Sequence, residues 1–520
     1  MEGDHKQVLL QDQPSTATEV HHCHFATDHL LTNLKGRTVS SGIVSSVAQC
    51  VQFVLTLISA VVLARLLTPR DFGLVAMVAV VMDFLRVFKD AGLSTATIQR
   101  EGITHAQVSN LFWINVALSG GVSVIIVACA PAIAWFYREP KLVGVTLALS
   151  GTFLLTGLTV QHTALLNRQM RFKASALIQI CSLTVGVSVG VVMAWLRCGY
   201  WALVGMQLTT PLVALLVTWL ACPWRPQAPV RNSGTRSLVK FGADLSATNF
   251  IWSLARGADG LLIGRLFGSE QVGLYSRASG LLNRPLEQVM APLNAVFVPV
   301  LSRIQGQRAR YRRIFLQVYE AMALMSLVFT GLFLALSRPL TLFVLGVKWE
   351  GAVDIFTGFT ISAAFLPLCS ATSWLLASQG RGREWLIATS ISGFATLASF
   401  LIGLPFGPAG VAFAYSGGAL PIVLSVLHHV AGRSGPVTTL DLWRAFFRLL
   451  PVWGIVCSTA WLTRHLAVNL APVLQLVVCI PAGLLVGACF VHAYPPARRV
   501  VFNVFETLRE FKEGKLTVSN

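Results

Sequence analysis

Apolar residues in this chain come in long runs separated by short polar or basic breaks. A helix needs about 20 mostly apolar residues to cross a bilayer. On that measure the pattern predicts fourteen membrane helices, at about 41–66, 72–92, 108–137, 141–162, 174–197, 200–222, 238–264, 270–300, 314–337, 353–378, 385–404, 408–430, 444–465 and 470–492. The second and eighth are the least apolar, so hydropathy alone misses them most easily. The stretch from Asp244 to Asn294 holds the most unusual polar positions. On predicted helix 7, Asn249, Ser253, Arg256 and Gly260 recur at helical spacing with Asp259 beside them. On predicted helix 8, Arg277, Gly280, Arg284, Glu287, Ala291 and Asn294 do the same. Residues three and four apart share a helix face. A charge at the bilayer centre costs about 2.5–3.5 kcal/mol on insertion scales. Such faces are therefore expected to meet protein or a water-filled path rather than lipid.

Two other helices carry polar faces: Ser45, Gln49, Gln52, Thr56 and Ser59 on helix 1, and Asp83, Arg86 and Asp90 on helix 2. Packing between helices is an alternative use for such residues, since small and polar side chains also join membrane helices. Arg256 with Asp259, and Arg284 with Glu287, are spaced to neutralise each other. Pro285 predicts a kink in helix 8.

An internal repeat sets the domain plan. Arg65-Leu66 followed by Gly73-Leu74 recurs as Arg265-Leu266 followed by Gly273-Leu274. The same offset of 200 carries helix 1 onto 7 and helix 2 onto 8. Six helices per half makes the halves parallel in topology, related by an axis along the membrane normal. The expected organisation is a disordered cytosolic tail (1–37), a six-helix lobe (38–222), a basic cytoplasmic linker (223–237), a second six-helix lobe (238–430), helices 13 and 14 (431–495) and a cytoplasmic amphipathic tail (496–520). In that tail Val501, Val504, Phe505, Leu508 and Phe511 form an apolar stripe, which fits a membrane surface or the protein's own cytoplasmic face.

Composition agrees with a membrane protein: 54% hydrophobic, 12% charged, mean hydropathy +0.67. Soluble domains carry about 25% charged residues. The net charge of +18 would point to nucleic acid in a soluble protein. Here the basic residues sit between apolar runs, and nucleic acid is not an expected partner. Twenty Lys and Arg fall in the loops after even-numbered helices, including Arg303, Arg308, Arg310, Arg312 and Arg313, against nine after odd-numbered ones. The positive-inside rule then puts both termini in the cytoplasm. The ten cysteines include no CxxC pair, so free, buried thiols are expected rather than zinc or disulfides. His21, His22, Cys23 and His24 are a candidate metal cluster in the tail. No Walker A, GxSxG or HExxH signature is present, so neither a catalytic residue nor a cofactor is expected.

The chain resembles the Wzx/PST-type polysaccharide exporters of the MOP flippase superfamily. The carriers are Ala64-Arg65-Leu66-Leu67, Phe72-Gly73-Leu74, Asp90-Ala91-Gly92-Leu93-Ser94, Met170-Arg171-Phe172 and Gly199-Tyr200-Trp201-Ala202-Leu203-Val204. In the second half they are Pro299-Val300-Leu301-Ser302-Arg303, Leu345-Gly346-Val347-Lys348-Trp349 and Ala377-Ser378-Gln379-Gly380-Arg381. The likeness is greatest to exporters of colanic-acid and succinoglycan type. It implies two six-helix lobes around a cavity formed chiefly by helices 1, 2, 7 and 8, in a bacterial inner membrane. The implied cargo is an oligosaccharide repeat unit on undecaprenyl diphosphate, with a polymerase and other assembly proteins as possible partners. Arg256, Arg277 and Arg284 suit an anionic headgroup, because Arg is permanently charged and forked. Gln49, Gln52 and Asn249 are further cavity candidates, and Asp83, Asp90, Asp259 and Glu287 are candidates for ion coupling. A MATE-like drug or cation antiporter and a non-transporting scaffold are the alternatives.

Overall fold

The computed structural model describes residues 34–90, 103–230 and 236–512, with Ser94 and Thr97; side chains are described from Val44 onward, except in 87–90, 236–256 and 504–512. The cluster at His21–His24 lies outside the described residues. Every regular element among the described residues is a helix. In chain order these are α1 Leu34–Leu66, α2 Pro69–Asp90, α3 His105–Tyr137, α4 in two pieces (Leu142–Gly157 and Val160–Arg168), α5 Phe172–Trp195 and α6 Trp201–Ala221. The second half continues with α7 and α8, which make up Arg236–Arg303, then α9 Arg308–Ala335 and α10, again in two pieces (Ala352–Thr360 and Ser362–Ser378). Next come α11 Gly382–Gly403 and α12, assembled from Gly407–Phe413, the π turn Ala414–Ala419 and Leu420–Gly432. The chain closes with α13 Thr439–Leu466, α14 Pro472–Ala493 and α15 Pro495–Lys512.

Nine helices among the described residues are long and apolar enough to cross a membrane, or ten if the bent α10 is one span. Among the described residues, neither α2 nor the α7–α8 stretch passes that test. The 51-residue stretch Gly382–Gly432 that passes it as one span contains the turn at Gly407, where φ is +75°. Large apolar side chains point outward along the helices, among them Trp135, Trp195, Leu220, Phe394 and Leu466. This is a multi-pass membrane protein.

Several boundaries differ from expectation. Helix α1 starts at Leu34, so residues 34–37 are helical, not part of a disordered tail. The loop before α10 is not merely short: it holds a helix, Ser337–Val344, and a 3-10 turn, Val347–Trp349. Pro285, Pro292 and Pro299 all lie within α8, and the only non-helical backbone between 236 and 303 is at Gly268. There φ is +82°, the region glycine enters without a Cβ penalty. The chain folds back at this point. Tyr275 donates its hydroxyl to Asp259 at 2.9 Å, whereas 16 residues along a straight helix span about 24 Å.

The chain divides into two compact units. One holds the chain up to Ser59, Met82–Ala134 and Lys141–Ser253. Within it α5 and α6 pack along a stripe of small residues: a Cβ on Gly186 would lie 2.0 Å from the Thr210 hydroxyl, and one on Gly190 would meet Met206 at 3.0 Å. Small residues allow the close helix approach that membrane packing requires. The chain after α6 is strapped to α3. Asn110 bonds both backbone groups of Val230, Trp113 donates to the Gln227 carbonyl, and Gln227 N–H donates to Ser109. Under the strap, Trp224 is buried against Phe112 and His162.

The other unit holds Ala60–Val81, Trp135–Pro140 and Leu254 onward. Its apolar core runs from α8 to α14 and includes Tyr311, Phe315, Tyr319, Leu368, Trp374, Leu424 and Leu449. Ala497 and Val500 of α15 are buried in that core. The described start of the tail therefore packs on the protein itself. Arg312 of α9 grips Asp441 at the start of α13 with a 2.6 Å bond, and Asp441 also closes a capping box with Thr438.

The repeat has a local counterpart in the backbone of each unit. Met170 and Gly380, 210 positions apart, both adopt positive φ (54° and 69°). The following arginine N–H in each case closes the helix end, Arg171 onto Leu166 O at 2.9 Å and Arg381 onto Leu376 O at 3.0 Å. This is the Schellman pattern. Both side chains then reach the last carbonyls of a helix that follows, Arg171 to Ala221 and Arg381 to Val430 and Ala431.

Free buried thiols are corrected in part. The nine described cysteines are free, but Cys50, Cys129, Cys181, Cys198 and Cys489 are exposed. Cys222 is buried, and burial pushes its thiol above the ordinary range.

Candidate functional site

In the second unit the turn from α1 to α2 meets the turn from α7 to α8. A Cβ on Gly73 would lie 1.6 Å from the Ser269 carbonyl oxygen and 3.1 Å from Gly273 N. A Cβ on Gly273 would lie 1.9 Å from the Pro69 carbonyl oxygen and 3.0 Å from Gly73 N. Residue 73 touches 269 and residue 273 touches 69, which is the reciprocal contact a two-fold produces. The helix ends beside it repeat the relation. Ala64 O accepts from Trp349 Nε1 at 2.8 Å, while Gly264 lies against the Tyr137 ring. Arg65 donates to the Phe343 carbonyl at 2.8 Å, and Arg265 stands over the Phe136 ring at 5.9 Å.

This crossing positions Arg277. Its guanidinium lies 4.3 Å from the centroid of the Phe72 ring, and its Nε is buried with no hydrogen-bond partner. Phe72 is itself buried and meets the buried Trp349 edge-on, ring centroids 5.3 Å apart. Cation–π contacts contribute about 0.5–2 kcal/mol, more where water is excluded, but they neutralise nothing. Arg284 is exposed, its Nε would lie 3.8 Å from a Cβ placed on Gly280, and it is close enough to Arg277 for the two charges to repel. Seven residues separate them, so they sit on one face of α8, about 10.5 Å apart along its axis. Among the described residues neither forms an ion pair. Glu287 is exposed and does not pair with Arg284; i,i+3 spacing permits contact without requiring it. This corrects the expected neutralisation within α8.

Asp259 accepts from Tyr275 and from Gly260 N–H at 2.7 Å; the side chain of its expected partner Arg256 lies outside the described residues, as do those of Asn249 and Asp90. Gln52 donates to Gln179 of α5 at 2.8 Å, within the first unit. That is the packing role open to the α1 face. Gln49 is exposed and has a partner. Asp83 pairs with Arg86 at 3.0 Å, both more than half exposed. Asn294 accepts from Trp374 Nε1. Phe72, Tyr275 and Trp349 were not among the site residues the sequence suggested. Aromatic residues in apolar runs carry no periodic signal, and only their partners reveal them.

Together, the fold and site define a multi-pass helical membrane protein with two arginines on one face of α8 that form no ion pair among the described residues. The chain belongs to the polysaccharide biosynthesis protein family, whose profile matches residues 62–354. It is 23% identical to the lipopolysaccharide biosynthesis protein WzxC of Escherichia coli K12, over 81% of this chain and 87% of that one. It is 24% identical to the teichuronic acid biosynthesis protein TuaB of Bacillus subtilis 168, over 68% and 72% of the two chains. Against the succinoglycan biosynthesis transport protein ExoT of Rhizobium meliloti the identity is 24%, over 64% and 67%. Among solved structures, the lipid II flippase MurJ in an inward closed conformation matches with a TM-score of 0.67 at 14% identity, covering 87% of this chain and 99% of that one. An inward-facing multidrug resistance MATE transporter of the MOP superfamily matches with a TM-score of 0.58 at 15% identity, covering 76% and 96%. The fold is thus of the MATE and MurJ type.

Proposed function

We propose that this protein flips oligosaccharide repeat units linked to undecaprenyl diphosphate across a bacterial cytoplasmic membrane, for exopolysaccharide or lipopolysaccharide assembly. The observation that carries this reading is the pair Arg277 and Arg284, two guanidinium groups on one helix face with no carboxylate against either among the described residues. Unpaired charge in a membrane protein is costly and marks a substrate path. Two forked cations separated by about 10 Å along a helix suit an anion with several oxygens, such as a diphosphate carrying acidic sugar. A path selective for organic cations would place carboxylates there instead. Family membership supports the same reading.

The glycan crosses by alternating access along the polar faces of α7 and α8, with those of α1 and α2 as their counterparts in the first repeat. Asp259, Asp83, Asp90 and Glu287 are the groups available for ion coupling, and Asn249, Arg256, Gln49 and Gln52 for contacts with cargo. The reading includes fourteen crossings with both termini in the cytoplasm, which the excess of Lys and Arg in alternate loops supports. The test is equilibrium binding to the purified protein of a polyprenyl diphosphate and, separately, of a lipophilic organic cation. Saturable diphosphate binding, weakened tenfold or more in Arg277→Gln, is expected. Tight binding of the cation with none of the diphosphate contradicts the proposal.

A further inference from the structure

The three aromatic and cationic groups at the head of α8 are joined to a latch. Helix α1 ends at Leu66, and the last carbonyls of a helix have no partner within it. Here they are capped from the loop before α10: Trp349 Nε1 donates to Ala64 O at 2.8 Å, and Lys348 Nζ to Arg65 O at 3.4 Å. Arg65 returns a bond to Phe343 O. A cation at a helix C-terminus is also favoured by the helix dipole. Trp349 has no exposed surface, so separating the loop from α1 exposes an indole and orphans two carbonyls. The ring beside Trp349 is Phe72, and the guanidinium of Arg277 lies over the Phe72 ring.

We infer that Arg277, Phe72 and Trp349 form a relay by which the charge of the cargo releases this closure. The inference rests on the flippase reading for the identity of the anion. In this structure Arg277 lies on the Phe72 ring, which packs edge-on against Trp349. A diphosphate held between Arg277 and Arg284 removes their repulsion and draws Arg277 along α8 toward Arg284, off the ring. Phe72 then loses its cover, and Trp349 loses the neighbour that seats its indole under Ala64 O. The latch lies at the end of the helices opposite the basic Arg308–Arg313 segment, which the proposed topology makes extracytoplasmic. Loading from the cytoplasm would thereby loosen the outer closure. Phe72 and Trp349 are positioning residues in this scheme; neither touches cargo.

The experiment places spin labels on Leu66→Cys and Val347→Cys, in a background without other cysteines, and measures their separation with and without a soluble-chain polyprenyl diphosphate such as geranylgeranyl diphosphate. In the otherwise wild-type protein the ligand is expected to raise the long-distance population at least threefold. Phe72→Leu is expected to raise it by as much without ligand, to show no further change with ligand, and to bind the diphosphate at least as tightly, since the ring no longer competes for Arg277. Arg277→Gln is expected to match its ligand-free distances. Phe72→Leu protein that responds to ligand as wild type does overturns the relay while leaving the flippase reading intact, as does wild-type protein that binds without opening. If the wild type binds no diphosphate, the flippase reading falls. The ligand-free distances then judge the relay alone: a lengthening in both Phe72→Leu and Arg277→Gln supports it, and no change in either overturns it.

Discussion

Gly73 and Gly273 meet backbone to backbone, each too close to its partner's turn to admit a methyl group. They are also the glycines that mark the repeat, in matching positions after Arg65-Leu66 and Arg265-Leu266. The first prediction follows. Gly73→Ala and Gly273→Ala should each lower the thermal midpoint, because the carbonyls at 1.6 and 1.9 Å belong to backbone and cannot turn aside; overpacking of this kind costs about 1–3 kcal/mol or more. Gly121→Ala, which meets nothing within 4 Å, serves as the control. Equal melting of all three variants would show that the turns do not meet.

This contact also shows how far the sequence can be read. The polar faces were legible because each is a periodicity along one helix, and the repeat because matching residues recur at a single offset of 200. The partner of a polar residue was not. Gln52 has the same spacing on α1 that Arg284 has on α8, yet Gln52 is bonded to Gln179 and Arg284 has no ion-pair partner among the described residues. Periodicity gives the face of a residue, not the helix that face meets. The expected pairing of Arg284 with Glu287 failed for a related reason: i,i+3 spacing permits contact without requiring it.

Arg381 gives a second prediction. Its guanidinium reaches Glu384, the carbonyls of Val430 and Ala431, and Ser434, so it ties the start of α11 to the end of α12. Arg381→Lys keeps the charge and loses the fork. It should destabilise the protein nearly as much as Arg381→Met in a thermal unfolding series. Full rescue by lysine would mean that charge alone matters there.

The junction of α9 and α13 should rank its contributors. Asp441→Ala removes both the Arg312 bond and half of the capping box, Thr438→Ala removes one cap worth about 0.5–2 kcal/mol, and Arg312→Ala removes an ion pair whose cation is half exposed and screened. Such exposed pairs contribute about 0.2–1 kcal/mol. Melting points should fall most for Asp441→Ala and least for Arg312→Ala. The reverse order would place the stability in the ion pair.

Topology can be checked at two exposed sites. A cysteine replacing Val347, in a protein cleared of its exposed native cysteines, should react with an impermeant thiol reagent in intact cells, and one replacing Arg308 should react only after permeabilisation. The opposite pattern would invert the orientation.

A flipping assay in liposomes reads the role of Arg277 and Arg284 without intermediaries. The protein is reconstituted into liposomes with a fluorescent saccharide on a polyprenyl diphosphate, and the fraction that becomes accessible to an impermeant quencher is followed over time. Wild-type protein should flip the lipid, Arg284→Gln should slow it at least tenfold, and the folded double variant Arg284→Gln with Glu287→Gln should stay as slow, because no carboxylate is orphaned by the first change. Recovery of wild-type flipping in the double variant, or flipping by Arg277→Gln with Arg284→Gln at the wild-type rate, would contradict the claim that these arginines carry the headgroup.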